Sequence, residues 1–522
     1  MFLYKTYLKI VGKERINVMK KYLLLIAVAL LTVNTARADG CCSQGGLWLG
    51  RSFMFTRPIN QHLSIQQSFT DYIINAKKGD VLGYFDITTA YQESLCPFNN
   101  INQRGTYFLP NCKNSLLVSG DANTDDLLTR DIRSEWLGLP DDFRGSLTIN
   151  PQQKQLGCMF TYNQSLSILD KTIPFFADSW IQIFLPIVFV ENSLNLAQHD
   201  VINPATTVPQ DILQAFNQPS WNYAKMPPCR STWQLAELKL EFGKTYLAED
   251  LFLLDYYGLL TIPTADSQNP TFLFDAVAGN NGHAGIGAGV NFQILLNRDP
   301  QPMAVCWFLH VEDIFLIQST QLRTFDLKGK PWSRYLLLTP KNGPLGFTVP
   351  GVNVLTCLAH VHPYNVIDIS TGFRLQNSFM QAEFGFNIWG HGHERVELLC
   401  GCNGWTPDYG IAGNPAQIST STSLATGSHN VTASASTIST QAANDVNSDG
   451  ELVFVPITFH DINNESAGTA GAINYKINTN IGFYNYGRKV DAFFVVGIFF
   501  DFPERPTALP LGGGWAKVGA SF

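Results

Sequence analysis

From about residue 82 onward, apolar and polar residues alternate with a period of two over most of the chain. That pattern predicts strands with one wet and one greasy face, and helical periodicity is scarce. Residues 472–486 show it most clearly. Ile473, Tyr475, Ile477, Thr479, Ile481 and Phe483 share one face, and Asn474, Lys476, Asn478, Asn480 and Gly482 share the other. A hairpin follows the same rule at 366–390. Ile367, Ile369, Phe373 and Leu375 oppose Asp368, Ser370, Gly372 and Arg374. After a tight Asn377–Ser378 turn, Ala382, Phe384, Phe386 and Ile388 oppose Gln381, Glu383, Gly385 and Asn387.

Residues 284–296 set Ile286, Ala288, Val290, Phe292 and Ile294 against Gly287, Gly289, Asn291 and Gln293. Residues 233–243 set Leu238, Leu240 and Phe242 against Glu237, Lys239 and Glu241. The stretch 491–502 alternates weakly, because Phe493, Val495 and Phe499 make its second face apolar as well. Weaker strands are expected at 82–92, 144–150, 155–164, 179–191, 251–262, 302–318 and 334–339. Many of these segments run 10–13 residues. A tilted strand needs about 9–11 residues to cross a bilayer, whereas soluble strands average about 5–6.

Two stretches interrupt the pattern. Residues 193–231 hold Pro204, Pro209, Pro227 and Pro228 around a short helix expected from Asp211 to Phe216. Residues 403–450 are rich in Ser, Thr, Ala, Asn and Gly and bring too few large apolar side chains to build a core.

At the N-terminal end, Met19-Lys20-Lys21, an apolar run from Tyr22 to Val33 and Ala36-Arg37-Ala38 follow the order of a secretory signal peptide, with Met19 as an alternative start. The expected division is therefore 1–38 signal peptide, 39–81 N-terminal segment and 82–522 β-strand region, with insertions at 193–231 and 391–471. Removal of residues 1–38 takes seven basic groups and one acid away, so the net charge of −7 becomes −13. That balance argues against nucleic acid as a partner. The remainder has no apolar run of 18 residues, so no membrane helix is expected. With 12% aromatic residues, 15% charged residues and 42 Gly, the composition suits a membrane β-barrel and a large soluble β-protein equally.

The last residues bring in a family. Gly514, Ala516, Val518, Ala520 and Phe522 fall on one side of a strand, and Trp515, Lys517, Gly519 and Ser521 on the other. This strand ending on Phe522, with the signal peptide and the hairpins at 366–390 and 472–522, resembles the bacterial outer-membrane β-barrels, the porin-like proteins among them. Small Ala516 and Ala520 depart from the larger residues usual in that family. The resemblance implies an all-β fold, an antiparallel transmembrane β-barrel of about 12–16 strands with long outer loops, in the bacterial outer membrane. It implies that Phe522 is read by the barrel-assembly machinery, and that outer-membrane lipid is a partner. Strand parity then makes 391–471 one outer loop, with Leu452–Phe459 folded within it or into the lumen rather than serving as a wall strand.

The polar faces supply candidate pore-lining residues: Glu237, Lys239, Glu241, Asp368, Arg374, Glu383, Lys476 and Lys517. Opposed charges on a lumen wall tune passage of solutes. The leading expectation is a porin-like channel for passive diffusion of small polar solutes, not an enzyme, with no catalytic residues and no cofactor, and with homo-oligomers allowed. The alternatives are a secreted or surface β-sandwich that binds a ligand through its loops, and a barrel adhesin presenting 391–471.

His360, His362, His391, His393 and Glu394 have metal-ligand character but no clear full set, so no metal is expected. Residues 323–335 are dense in charge and aromatics. They read as a membrane-interface loop with Trp332 and Tyr335 at the headgroups, or as an inward-folded loop that constricts a pore. Among ten cysteines, Cys96 and Cys112 are the best expected bridge.

Overall fold

The computed structural model describes residues 56–69, 83–95 and most of 114–522. The breaks within that last range are 127–128, 167–168, 170–172, 203–208, 249–251, 298–302, 330–331, 342–346, 400–407, 413–443, 447–451, 455, 486–489 and 505–507. The expected signal peptide and the Cys96–Cys112 bridge lie outside the described residues.

Twelve strands form the wall. They are β1 (Gly83–Ser94), β2 (Gln152–Ser165), β3 (Ser179–Ser193), β4 (Glu237–Ala248), β5 (Phe252–Pro263) and β6 (Gly285–Leu295). The second half is β7 (Ala304–Leu316), β8 (Tyr364–Gln376), β9 (Met380–His391), β10 (Ala472–Asn485), β11 (Asp491–Pro503) and β12 (Leu511–Ser521). Each pairs antiparallel with its neighbours in sequence, and β12 pairs with β1 from Leu511↔Ser94 to Ser521↔Tyr84. The sheet is therefore closed and has no edge. One sheet closed on itself replaces the two stacked sheets that a sandwich requires, which removes that alternative.

Alternation decides which side chains go where. On β10 the even-numbered residues Asn474, Lys476, Asn478 and Asn480 are buried inside, while Tyr475, Ile477, Ile481 and Phe483 stand exposed on the outer surface. Phe373, Phe384, Phe386, Phe494, Ile498 and Phe500 continue the outer apolar surface around the wall. A closed barrel satisfies its backbone internally, and such a greasy exterior is stable only against lipid. This is an outer-membrane-type antiparallel β-barrel.

β11 is greasy on both faces because its inner face meets other apolar groups. Phe493, Val495 and Phe499 are buried beside Phe69 and Trp515 in one cluster.

Two expected strands are not in the wall. Arg144–Thr148 pairs with Ser115–Ser119 and with Ala197–Ile202, and Leu337–Pro340 pairs with Val349–Pro350 and Tyr409–Ile411. Both belong to the long connections at one end of the barrel. At the opposite end the turns are short. The one at 377–379 is closed by Asn377, whose amide donates to Met380 O at 2.9 Å and whose Oδ1 accepts from the Phe379 and Met380 amides. Among the described residues, no strand between His391 and Ala472 joins the wall. The expected helix at 211–216 is present as Ile212–Ala215, capped by Asp211 Oδ1 accepting from Gln214 N at 2.8 Å.

The long connections share a hydrophobic core built around Trp221, Trp332, Tyr335, Phe216 and Leu336. Trp332 and Tyr335 are fully buried there, so neither sits at a headgroup. Arg323 and Arg334 do not line a pore either. Arg334 grips Asp326 through Nε–Oδ1 at 2.9 Å and Nη2–Oδ2 at 2.8 Å, and Arg323 pairs with Glu394 at 3.2 Å. Arg323, Asp326 and Arg334 are internal scaffolding of the loop domain. Glu394 is committed to that pair, and His360 Nδ1 contacts Thr320 Oγ1 at 3.2 Å.

Candidate functional site: a filled lumen

An eight-stranded barrel is just filled by its own side chains, and larger ones leave room. In this twelve-stranded wall the room is taken by residues 56–69, which precede β1 and run inside it. Their course is Thr56-Arg57-Pro58, a single turn at Ile59–Gln61, a short helix Leu63–Gln66, and Phe69 in the left-handed region at φ 70°. Arg57 is the segment's only charged residue.

Polar anchors run the length of the segment. Arg57 is completely buried, with Nη2 on Asp368, and Nη1 on Asn387 and, at 3.5 Å, on Asp501 Oδ2. Its guanidinium carbon lies 5.7 Å from the centre of the Trp389 ring. Asp368 Oδ2 also accepts the Leu63 amide at 3.1 Å. Asn60 Nδ2 donates to Glu237 Oε1 at 3.1 Å.

Lys476 Nζ donates to Ser64 Oγ at 2.6 Å and to His62 Nδ1 at 3.0 Å, so His62 bears its proton on Nε2 and gives it to Gln92 Oε1 at 2.8 Å. Burial, then the charges of Lys476 and Arg57, hold His62 well below the usual imidazole range. Lys517 Nζ caps the segment's end, donating to the carbonyls of Ile65, Gln66 and Ser68 at 2.8, 3.0 and 3.1 Å. Lys239 Nζ reaches Gln66 Oε1 at 3.2 Å. Ile59, Ile65 and Phe69 are the apolar anchors, buried in one cluster with wall residues such as Met159, Val188 and Phe493, and the Phe69 ring packs on Tyr484 and Phe493 at 4.7 and 6.0 Å. It fits because residue 482 is glycine: a Cβ there would stand 2.1 Å from Phe69 Cζ.

All eight sequence-predicted pore residues are buried on the inner face. Glu237, Lys239, Asp368, Lys476 and Lys517 hold the segment. Glu241, Arg374 and Glu383 pair within the wall instead: Glu241 with Lys239 at 3.0 Å, and Arg374 Nε with Glu383 Oε1 at 2.6 Å. Glu312, absent from the sequence reading, completes the first group at 2.6 Å from Lys239, with the Tyr257 hydroxyl donating to it at 2.9 Å.

Among the described wall residues, Asp86, Glu237, Glu241, Asp255, Glu312, Asp368, Glu383 and Asp501 are buried inward, against Lys239, Arg374, Lys476 and Lys517. The lumen is thus acid-rich, and a buried charge needs a partner. The inserted Arg57 helps supply one. Loop residue Asn280 joins the array, accepting from Gln61 Nε2 at 2.5 Å and donating to Glu237.

Sequence reasoning missed Arg57, His62 and Lys517's role as a cap. The available signal was Arg57 itself, one charge in an otherwise uncharged stretch beside an acid-rich set of inner faces. Phe522 lies at the short-turn rim, stacked on Tyr162 with ring centres 6.5 Å apart.

No protein-family model and no curated protein sequence matches the chain. Among solved structures, an outer-membrane channel from Pseudomonas putida F1 aligns at 10% identity over 85% of this chain and 98% of its own, with a TM-score of 0.35. A mutant of the TodX monoaromatic hydrocarbon channel aligns at 8% identity, over 87% and 93%, with a TM-score of 0.33. The translocator domain of the autotransporter NalP from Neisseria meningitidis aligns at 7%, over 88% and 95%, with a TM-score of 0.26.

Proposed function

We propose that this protein is an outer-membrane channel for small polar solutes that is held shut by residues 56–69. The observation that carries the proposal is the nature of the plug's attachment. Lys517, Lys476, Asp368 and Glu237 hold it by hydrogen bonds and ion pairs. Each such bond to a charged group contributes about 1.5–3 kcal/mol net. Polar groups on the segment and on the wall can take water and solute in exchange, and the apolar contacts of Ile59, Ile65 and Phe69 are what the segment gives up on leaving. The expected signal peptide, the outward lipid face and the short-turn end support export to the outer membrane, with long loops outside. Free diffusion through an always-open pore is replaced in this reading by gated diffusion.

Conductance in a planar bilayer tests it. The full protein should give rare or small openings, and a variant lacking residues 56–69 a steady, larger conductance. No rise in the deletion variant, with the wall still heat-modifiable on a gel, would sink the channel reading. The adhesin reading keeps one supporting observation, the loop domain's own hydrophobic core. Cell binding lost on replacing that domain, with conductance absent in every variant, would favour it.

A further inference from the structure

We propose that the lumenal pocket now filled by the Arg57 side chain is a binding site for small organic cations with a guanidinium head, and that Arg57 occupies it as a tethered competitor. Apart from Gln61 O of the segment itself, which accepts from Nη2 at 3.1 Å and Nε at 3.4 Å, the groups that meet Arg57 belong to the wall: Asp368 on β8, Asn387 and Trp389 on β9, and Asp501 on β11, with Ser370 on β8 and Asn474 on β10 paired beside them. The pocket therefore outlasts the departure of residues 56–69.

Its chemistry selects the head group. Asp368 takes one terminal nitrogen, while Asn387 and Asp501 take the other, and the Trp389 ring lies 5.7 Å from the guanidinium carbon. Acceptors on two nitrogens of one planar group, with an aromatic ring near it, suit a fork of N–H donors better than a compact ammonium. Asn474 donates to Asp501 at 2.5 Å and lies fully buried with its Oδ1 accepting nothing among the described residues. Ser370, across the strand pair from Asn387, is likewise buried with an unpartnered Oγ. Both are spare acceptors for a ligand that carries more N–H groups than Arg57 directs there. Lys476 and His62 are the other basic groups at this level, and they are turned to each other and to Ser64.

The proposal deepens the plugged-channel reading and rests on it for its biological use, but its test needs no conduction. The Arg57→Ala barrel is titrated in detergent with methylguanidinium, methylammonium or sodium chloride at equal millimolar ionic strength. The readout is the midpoint temperature of the heat-dependent gel shift. Methylguanidinium should raise the midpoint saturably, the other two salts should not, and adding Asp368→Asn should abolish the rise. Equal responses to all three cations, or a rise that survives Asp368→Asn, would overturn the site. If Arg57→Ala does not assemble alone, refolding rescued by methylguanidinium but not methylammonium supports the site, and refolding rescued by neither overturns it. Successful rescue together with an unchanged conductance on deleting 56–69 would refute the channel and keep the pocket. A channel that opens on deletion without any rescue would do the opposite.

Discussion

Gly83 and Phe522 exchange two main-chain hydrogen bonds, each amide donating to the other's carbonyl at 3.0 Å. They form the final rung of the β1–β12 seam, at the end of the barrel where the turns are short. Because the rung is made by backbone, side-chain substitution at 522 leaves it in place and removes only the stacking on Tyr162.

Phe522→Ala should therefore refold into detergent with a modest loss, about 0.5–1.5 kcal/mol for a lost aromatic pair. If the assembly machinery reads the side chain, the same variant should assemble poorly in cells. Comparing refolded yield with envelope yield separates the two effects. Equal, small losses in both would count against an assembly signal.

Lys517→Met should loosen the plug without opening the wall. The substitution keeps the length of the side chain but leaves three carbonyls of residues 65, 66 and 68 without their shared donor. A buried group left unsatisfied costs about 1–3 kcal/mol. Amide exchange of residues 56–69 should rise at least tenfold while the gel shift persists. Unchanged exchange would show that the cap is dispensable.

Acid should release the same segment. His62 is held below its ordinary value of 6.5 while seated, and regains that value once released. The released state therefore binds the extra proton, so the seated state is favoured fully above pH 6.5 and progressively lost as pH falls below it. Exchange of residues 56–69, corrected for intrinsic rate, should be level from pH 8 to about 7 and climb towards pH 5. His62→Gln can still accept from Lys476 and donate to Gln92, and should flatten the climb. An identical profile in both proteins would rule out His62 as the sensor.

Arg334→Ala removes the partner of buried Asp326. Breaking such a pair costs about 3–5 kcal/mol. The cost falls on the loop domain, since Arg334 also donates to Ser466 O at 3.2 Å and Asp326 accepts the Arg334 amide. Limited proteolysis should cut the long connections of the variant quickly, yet its gel shift should survive. Loss of the gel shift as well would mean that the wall depends on the loops.

The wall was legible in sequence because its outer surface faces a single apolar solvent. Tyr475, Ile477 and Ile481 alternate with Asn474, Lys476 and Asn480 so cleanly that the strand and its inward face follow from the pattern alone. The same alternation misplaces Arg144–Thr148 and Leu337–Pro340, because a greasy face turned to a loop core looks like one turned to lipid. Their short length, five and four residues against eleven to fifteen in the wall, was the distinguishing mark. Residues 56–69 carry no period at all, since they are held by long-range side-chain contacts rather than by a sheet. Residue 57 contacts residue 368, and nothing within the segment announces that pairing. Trp332 and Tyr335 show the limit from the other side: their amphipathic rings suit a membrane interface, but the loop domain has a dry interior of its own that buries them.

The plug precedes β1 in the chain, and β1 meets its last neighbour only when β12 arrives. A ring completed by its most distant pair can enclose an earlier segment in two ways, by closing around it or by admitting it end-on afterwards. In the first case Arg57 and Asp368 meet before the seam is zipped, and the plug acts as a mandrel on which the hoop is bent. In the second it is a bolt slid into a finished cylinder. Pulse-labelled chains carrying Arg57→Ala would close slowly under the first order of events and at the normal speed under the second.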